Sequence, residues 1–111
     1  MATFYKGTEI KFVVELAAEG FSMDAHDFDI EVASPRDSIK GSKVGTGTSD
    51  QGSEDLFINK EDDKWVVVAD TSKLSKGDLR VIATAHTPDV SASDGIRNEI
   101  AVQPLGTLLI P

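Results

Sequence analysis

The chain has 111 residues and a formal net charge of −8, with 19 acidic against 11 basic side chains and no cysteine. Disulfides, thiolate metal sites and thiol nucleophiles are excluded, and the acidic balance argues against nucleic acid, whose phosphates are held by Lys and Arg. The length fits one domain spanning residues 1–111, and folding at this size removes roughly two-thirds of the unfolded surface from water, enough for one core.

The first twenty residues, MATFYKGTEIKFVVELAAEG, carry neither a basic segment leading into an apolar stretch nor a small-residue cleavage site. No signal peptide is expected, and no apolar run approaches the ~20 residues of a membrane helix. Phe4 and Tyr5 precede the first strand as a flap over the open end of the core. From Glu9 to Leu16, EIKFVVEL, Ile10, Phe12, Val14 and Leu16 share one face. Period two with β-branched and aromatic residues predicts a half-buried strand. AAEGFSMDAHD is a connection with one short helical turn at Asp24. Phe28 to Val32, FDIEV, is the next strand, with Asp29 and Glu31 outward.

Ser34 to Glu54 is rich in Gly, Ser, Thr and Asp and predicts a long loop, interrupted by a short strand around Ile39 to Val44. Leu56-Phe57-Ile58 and Lys64 to Asp70 form the next two strands around the polar turn NKEDDK. KWVVVAD is apolar on both faces, as in a central strand. After the polar stretch DTSKLSKGD, Leu79, Val81, Ala83 and Ala85 alternate inward against Arg80, Ile82, Thr84 and His86. The last strand starts near Glu99 and continues past Pro104 into LGTLLI; Pro104 cannot donate to a ladder and marks an edge or a bulge. About seven short strands with no helical period predict an all-β fold, a single antiparallel β-sandwich.

The polar stretch before Leu79 predicts a corner at which the chain crosses between sheets, with Leu74 plugging the core and Gly77 taking a conformation closed to other residues. The immunoglobulin family has such a corner between its fifth and sixth strands. Leu79 and Val81 stand here where its tyrosine would be sought, its disulfide is missing, and Trp65 comes too late for its core tryptophan. The resemblance is to the immunoglobulin-like sandwich as a shape.

Candidate chemistry is sparse. His26 and His86 each have an aspartate nearby, but no nucleophile elbow surrounds any serine, so no catalytic residue is assigned. The acidic groups Asp24, Asp27 and Asp29, then Glu61-Asp62-Asp63, then Asp94 with Glu99, lack the calcium loop with its alternating ligands and central glycine. They predict solvated turn charge, with no cofactor and no metal. The apolar tail PLGTLLIP is either the final strand or an exposed edge for another chain. The partner-binding candidates are Phe4, Tyr5, Leu105, Leu108, Leu109 and Ile110.

YKGTEIKFVVEL, then FDIEV, then WVVVADTSKLSKGDLRVIATA, then NEIAVQPLGTLLI, resembles the small immunoglobulin-like modules of tailed-phage virion proteins: baseplate and tail-fibre attachment regions, capsid-decorating proteins and head fibres. The shared features are the Gly7-Thr8-Glu9 turn before the first long strand and the Leu74 to Leu79 corner. The resemblance implies a non-enzymatic virion component, made in the host cytoplasm, that docks onto other virion subunits or onto further copies of itself. The alternatives are a bacterial cell-surface or secreted module binding glycan or protein, and a small metal-dependent enzyme, which requires converging carboxylates and histidine.

Overall fold

A computed structural model of the chain describes residues 2–44 and 55–110. Its strands are β1 (Thr3–Tyr5), β2 (Glu9–Val14), β3 (Phe28–Ala33), β4 (Ser38–Lys43), β5 (Leu56–Glu61), β6 (Lys64–Asp70), β7 (Gly77–Pro88) and β8 (Ile96–Leu109), with one 3₁₀ turn at Thr71–Lys73. They form a five-stranded sheet, β1-β8-β7-β3-β4, packed on a three-stranded sheet, β2-β6-β5. In immunoglobulin terms β2, β6 and β5 are B, E and D, and β8, β7, β3 and β4 are G, F, C and C′. The fold is the all-β sandwich that the alternation predicts. The strand beyond the expected seven is β1, where the sequence suggests only a flap. It pairs with β8 in parallel, Thr3 opposite Thr107 and Tyr5 opposite Leu109, so the sandwich is not antiparallel throughout.

Alternation decides which side chains meet. Ile10 and Val14 of β2, Ile58 of β5, and Trp65, Val67 and Ala69 of β6 face Phe28, Ile30 and Val32 of β3 and Leu79, Val81 and Ala83 of β7 in one core. β6 is apolar on both faces and is the middle strand of its sheet, with Val66 and Val68 on its outer face opposite Val13 and Lys11 of β2. The β5–β6 hairpin turns on two residues, Asp62 and Asp63, both at positive φ (49° and 65°). That is the conformation of a type I′ turn, which aspartate tolerates better than bulkier residues. Between β2 and β3 the connection makes a single turn starting at Ser22, whose carbonyl accepts from Ala25 and His26. Within the long loop expected from Ser34 to Glu54, β4 is ordered, and residues 45–54 lie outside the described residues.

The corner is built as the sequence implies. Leu74 is fully buried, and Gly77 sits at φ 122° with Pro35 so close that a Cβ would meet its Cγ at 2.7 Å. The work of the absent tyrosine falls to hydroxyls. Ser75 Oγ donates to the buried Ser34 Oγ at 2.8 Å, and Ser75 Oγ accepts from the Arg36 amide at 3.0 Å, tying the corner to the β3–β4 turn. At its other end Thr71 Oγ1 donates to the Thr8 carbonyl at 2.8 Å and accepts from the Gly7 amide at 3.0 Å.

Two substitutions test this frame. Leu74→Ala should lower unfolding stability by about 2–5 kcal/mol in denaturant titration, since it empties a fully enclosed leucine site. Gly106→Ala should release β1 from β8, because its Cβ would lie 2.5 Å from the Ala2 carbonyl oxygen. Hydrogen exchange at the Thr107 amide, which donates to that carbonyl, should then rise toward the rate of an exposed site, with the β3–β7 ladder still protected.

Candidate functional site: the outer face of the five-stranded sheet

β8 carries a bulge that decides what the protein shows to solvent. Leu79 lies opposite Gly106 but Arg80 lies opposite Pro104, so Leu105 is an extra residue on β8. A bulge shifts the side-chain phase by one. Before it the even-numbered residues point outward; beyond it Leu108 points inward and Thr107 and Leu109 outward. The result is an exposed aliphatic row along one face of one strand: Ile96 (44%), Ile100 (68%), Val102 (55%) and Leu109 (40%). Tyr5 extends the row from β1, and Ile82 of β7 lies beside Val102.

A polar chain crosses the four neighbouring strands on the same face. Ser42 Oγ on β4 donates to Asp29 Oδ1 on β3 at 2.6 Å. Asp29 Oδ2 lies 2.6 Å from His86 Nε2 on β7, and His86 Nδ1 lies 2.5 Å from Asn98 Oδ1 on β8. Both ring partners accept, so an imidazolium donating from each nitrogen satisfies them together. Partial burial pushes the His86 pKa down, but the hydrogen bonds to Asp29 and Asn98 and the negative charges of Asp29 and Asp27 outweigh it, and the net shift is upward. With both nitrogens engaged, the ring serves as a cross-strand tie. Beside it Asp29, Glu31, Lys40, Ser42, Ile82 and Thr84 border a shallow groove of about 330 Å³.

A second polar cluster sits where the core opens between the sheets. Lys43 is fully buried, its Nζ 5.6 Å from the Phe28 ring centre and 5.5 Å from that of Trp65. Burial lowers its pKa, against the pull of Asp27 and Asp24. Asp24 accepts from Lys60 Nζ at 2.8 Å and from Trp65 Nε1 at 2.9 Å, and these bonds hold its carboxyl below the usual range. This cluster closes one end of the core.

The six partner-binding candidates from the sequence separate by strand phase. Tyr5, Leu109 and Ile110 are exposed at 59%, 40% and 57%. Phe4 and Leu105 are half-buried against the core, and Leu108 is fully buried, so Leu108 belongs to the core and presents no surface. Ile96, Ile100 and Val102 were not singled out in the sequence, although the alternation of IRNEIAV marks them as one face. The candidate metal and catalytic residues do not converge. His86 joins Asp29, whereas His26 packs on the Phe21 ring and accepts from the Ser22 amide. Among the described residues no three His, Asp or Glu gather in a metal-holding group, and no helix is long and apolar enough to cross a membrane. No protein-family model matches the chain, and no curated protein matches it in sequence.

The His86 tie has a testable pH signature. A histidine whose folded pKa stands above its ordinary 6.5 contributes stability in full below that value, and the contribution disappears as pH rises through the folded pKa. Thermal melting of the chain should therefore fall across this window, and His86→Gln should flatten the fall. An equal slope in both proteins would show that the tie does not titrate there.

Proposed function

We propose that the chain is a non-enzymatic interaction module that docks onto other protein subunits through the outer face of its five-stranded sheet. The observation that carries this is the aliphatic row Ile96, Ile100, Val102 and Leu109, continued by Tyr5, on a chain of net charge −8. Single exposed aliphatics are ordinary on protein surfaces, but a row of them on one strand face marks a contact surface. Docking there would need little rearrangement, because the ladder and the Ser42–Asp29–His86–Asn98 chain already hold the strands.

The setting we propose is a tailed-phage particle, with the module as a capsid-decorating, head-fibre or tail-associated protein assembled in the host cytoplasm. This part rests on the sequence resemblance, and a sandwich with an exposed aliphatic row on one sheet is compatible with it. A glycan-binding module of a bacterial surface would stack sugars on exposed flat aromatics; Trp65 is only 4% exposed, inside the core, and the exposed rings of Tyr5 and Phe57 stand on strands of different sheets.

The experiment is mass spectrometry of particles purified from the phage or lysogen that encodes the chain. The wild-type chain should be present in fixed ratio to the capsid or tail proteins. Ile100→Lys combined with Val102→Lys should leave it in the soluble fraction with an unchanged melting temperature. Co-purification undiminished by the two lysines would refute docking through this face, and absence of the wild-type chain from particles would end the virion assignment.

A further inference from the structure

The two sheets differ by two strands, and the mismatch leaves one side of the sandwich open. Ala101 and Gln103 of β8 point toward the interior, opposite Ala83 and Val81, yet both are exposed, and among the described residues no strand of the smaller sheet lies across from them. A cleft of about 550 Å³ runs there, with Phe12, Val14 and Leu16 on one wall and Ala101, Pro104 and Leu105 on the other. Its two lips are strand edges. The β8 lip is blunted by Pro104, by the bulge, and by Arg97 paired with Glu99 and Asp89. These are ordinary protections of an edge. The β2 lip has neither proline nor bulge, and its protection is charge alone: Glu9 and Lys11 point outward, with Lys11 Nζ 3.2 Å from Glu61. EIKFVV is a regular strand without Gly, Pro or bulge, and Val13 at its edge is 51% exposed.

The free backbone groups of β2 can be assigned. Thr71 N–H donates to the Thr8 carbonyl. With period two, the peptide groups of Ile10, Phe12 and Val14 face β6, and those of Glu9, Lys11 and Val13 face away; one more step of the alternation, just past the end of the strand, puts Glu15 with the latter. We propose that β2 is a self-association strand, and that two copies of the chain pair antiparallel along it in a register centred on Val13.

Charge along β2 favours a second copy of the chain and narrows the register. A two-fold centred on Lys11 sets two lysines opposite each other. One centred on Phe12 sets Glu9 opposite Glu15 twice. Centred on Ile10, it sets Glu9 opposite Lys11 twice but puts Val13 against Gly7, which lies outside the strand at φ 98°. Centred on Val13, it brings the two Val13 side chains together and places Lys11 opposite the second copy's Glu15 twice on the outward face, each Lys11 exchanging its exposed pair with Glu61 for the new one. Opposite charges directly across an antiparallel pair stabilise it and like charges oppose it. In that register the facing residues are those whose peptide groups point outward, so the ladder bonds form without disturbing β6. The pairing fuses two three-stranded sheets into one of six and sets the mouths of the two clefts side by side. It goes beyond docking through the outer face of the larger sheet and does not depend on it.

The test is the mass of the full chain by light scattering over a dilution series reaching hundreds of micromolar. The wild type should be a dimer that dissociates on dilution. Val13→Pro removes an amide that points away from β6, so it should give a folded monomer. Lys11→Glu alone and Glu15→Lys alone each set like charges across the two-fold and should weaken association roughly tenfold or more. The two combined should restore it. Lys11→Glu also breaks the exposed pair with Glu61 within the chain, so the rescue by the double swap, which that pair does not predict, carries the test even if the proline variant does not fold. A wild type that stays monomeric throughout, a dimer that survives Val13→Pro, or a charge swap that fails to rescue would overturn the proposal. So would a dimer broken by Ile100→Lys, which would assign self-association to the outer face instead.

Discussion

The contact on which this sandwich depends is the edge-on meeting of Phe28 and Trp65, the large aromatics of the two sheets, at 5.5 Å and 83° between ring planes. Phe28 begins β3 and Trp65 lies in β6, so one contact joins the middle of the small sheet to the large one. It lies near an open end of the core, where two bulky rings by themselves would leave apolar surface wet. Lys43 resolves this by laying its chain and ammonium against both rings, while Asp24 takes the indole N–H. A buried lysine is tolerated only where the surroundings return part of the hydration it gives up. Here the return comes from two ring faces, the Asp24 carbonyl and the field of Asp24 and Asp27.

Much of this architecture is legible in the sequence because strand alternation is a local property. EIKFVVEL, FDIEV, KWVVVAD and LRVIATA each state which residues face the core, and the structure places Ile10, Phe28, Trp65 and Leu79 there. The corner is legible for the same reason: a single leucine between polar residues and a glycine has one economical use. The strand β1 is not legible, because three residues make too short a pattern and its pairing partner lies a hundred positions away. The corner's tie is also hidden. Ser34 and Ser75 are ordinary loop residues until the fold brings their hydroxyls within 2.8 Å.

The candidate surface was only partly legible, and the bulge is the reason. Pro104 announces an irregularity but does not say how many residues it inserts, and that number sets whether Leu108 or Leu109 faces solvent. Taken as one apolar tail, PLGTLLI merges residues of opposite fate. The cross-strand chain of Ser42, Asp29, His86 and Asn98 was out of reach for another reason. Its members come from four strands, and a histidine with an aspartate nearby in sequence has many readings before register is known.

The parallel pairing of β1 with β8 bears on how the molecule would carry load. The chain enters β1 beside Thr107 and leaves β8 beside Tyr5, so a pull on the two termini draws these strands past each other along their length. The bonds from Lys6 to Leu109 and from Thr107 to Ala2 then lie across the direction of force and are strained together, whereas a hairpin pulled from its open end loses its bonds one after another. A short strand of little thermodynamic weight thus becomes a shear clamp that resists traction at the ends of the chain, a mechanical property set by strand direction.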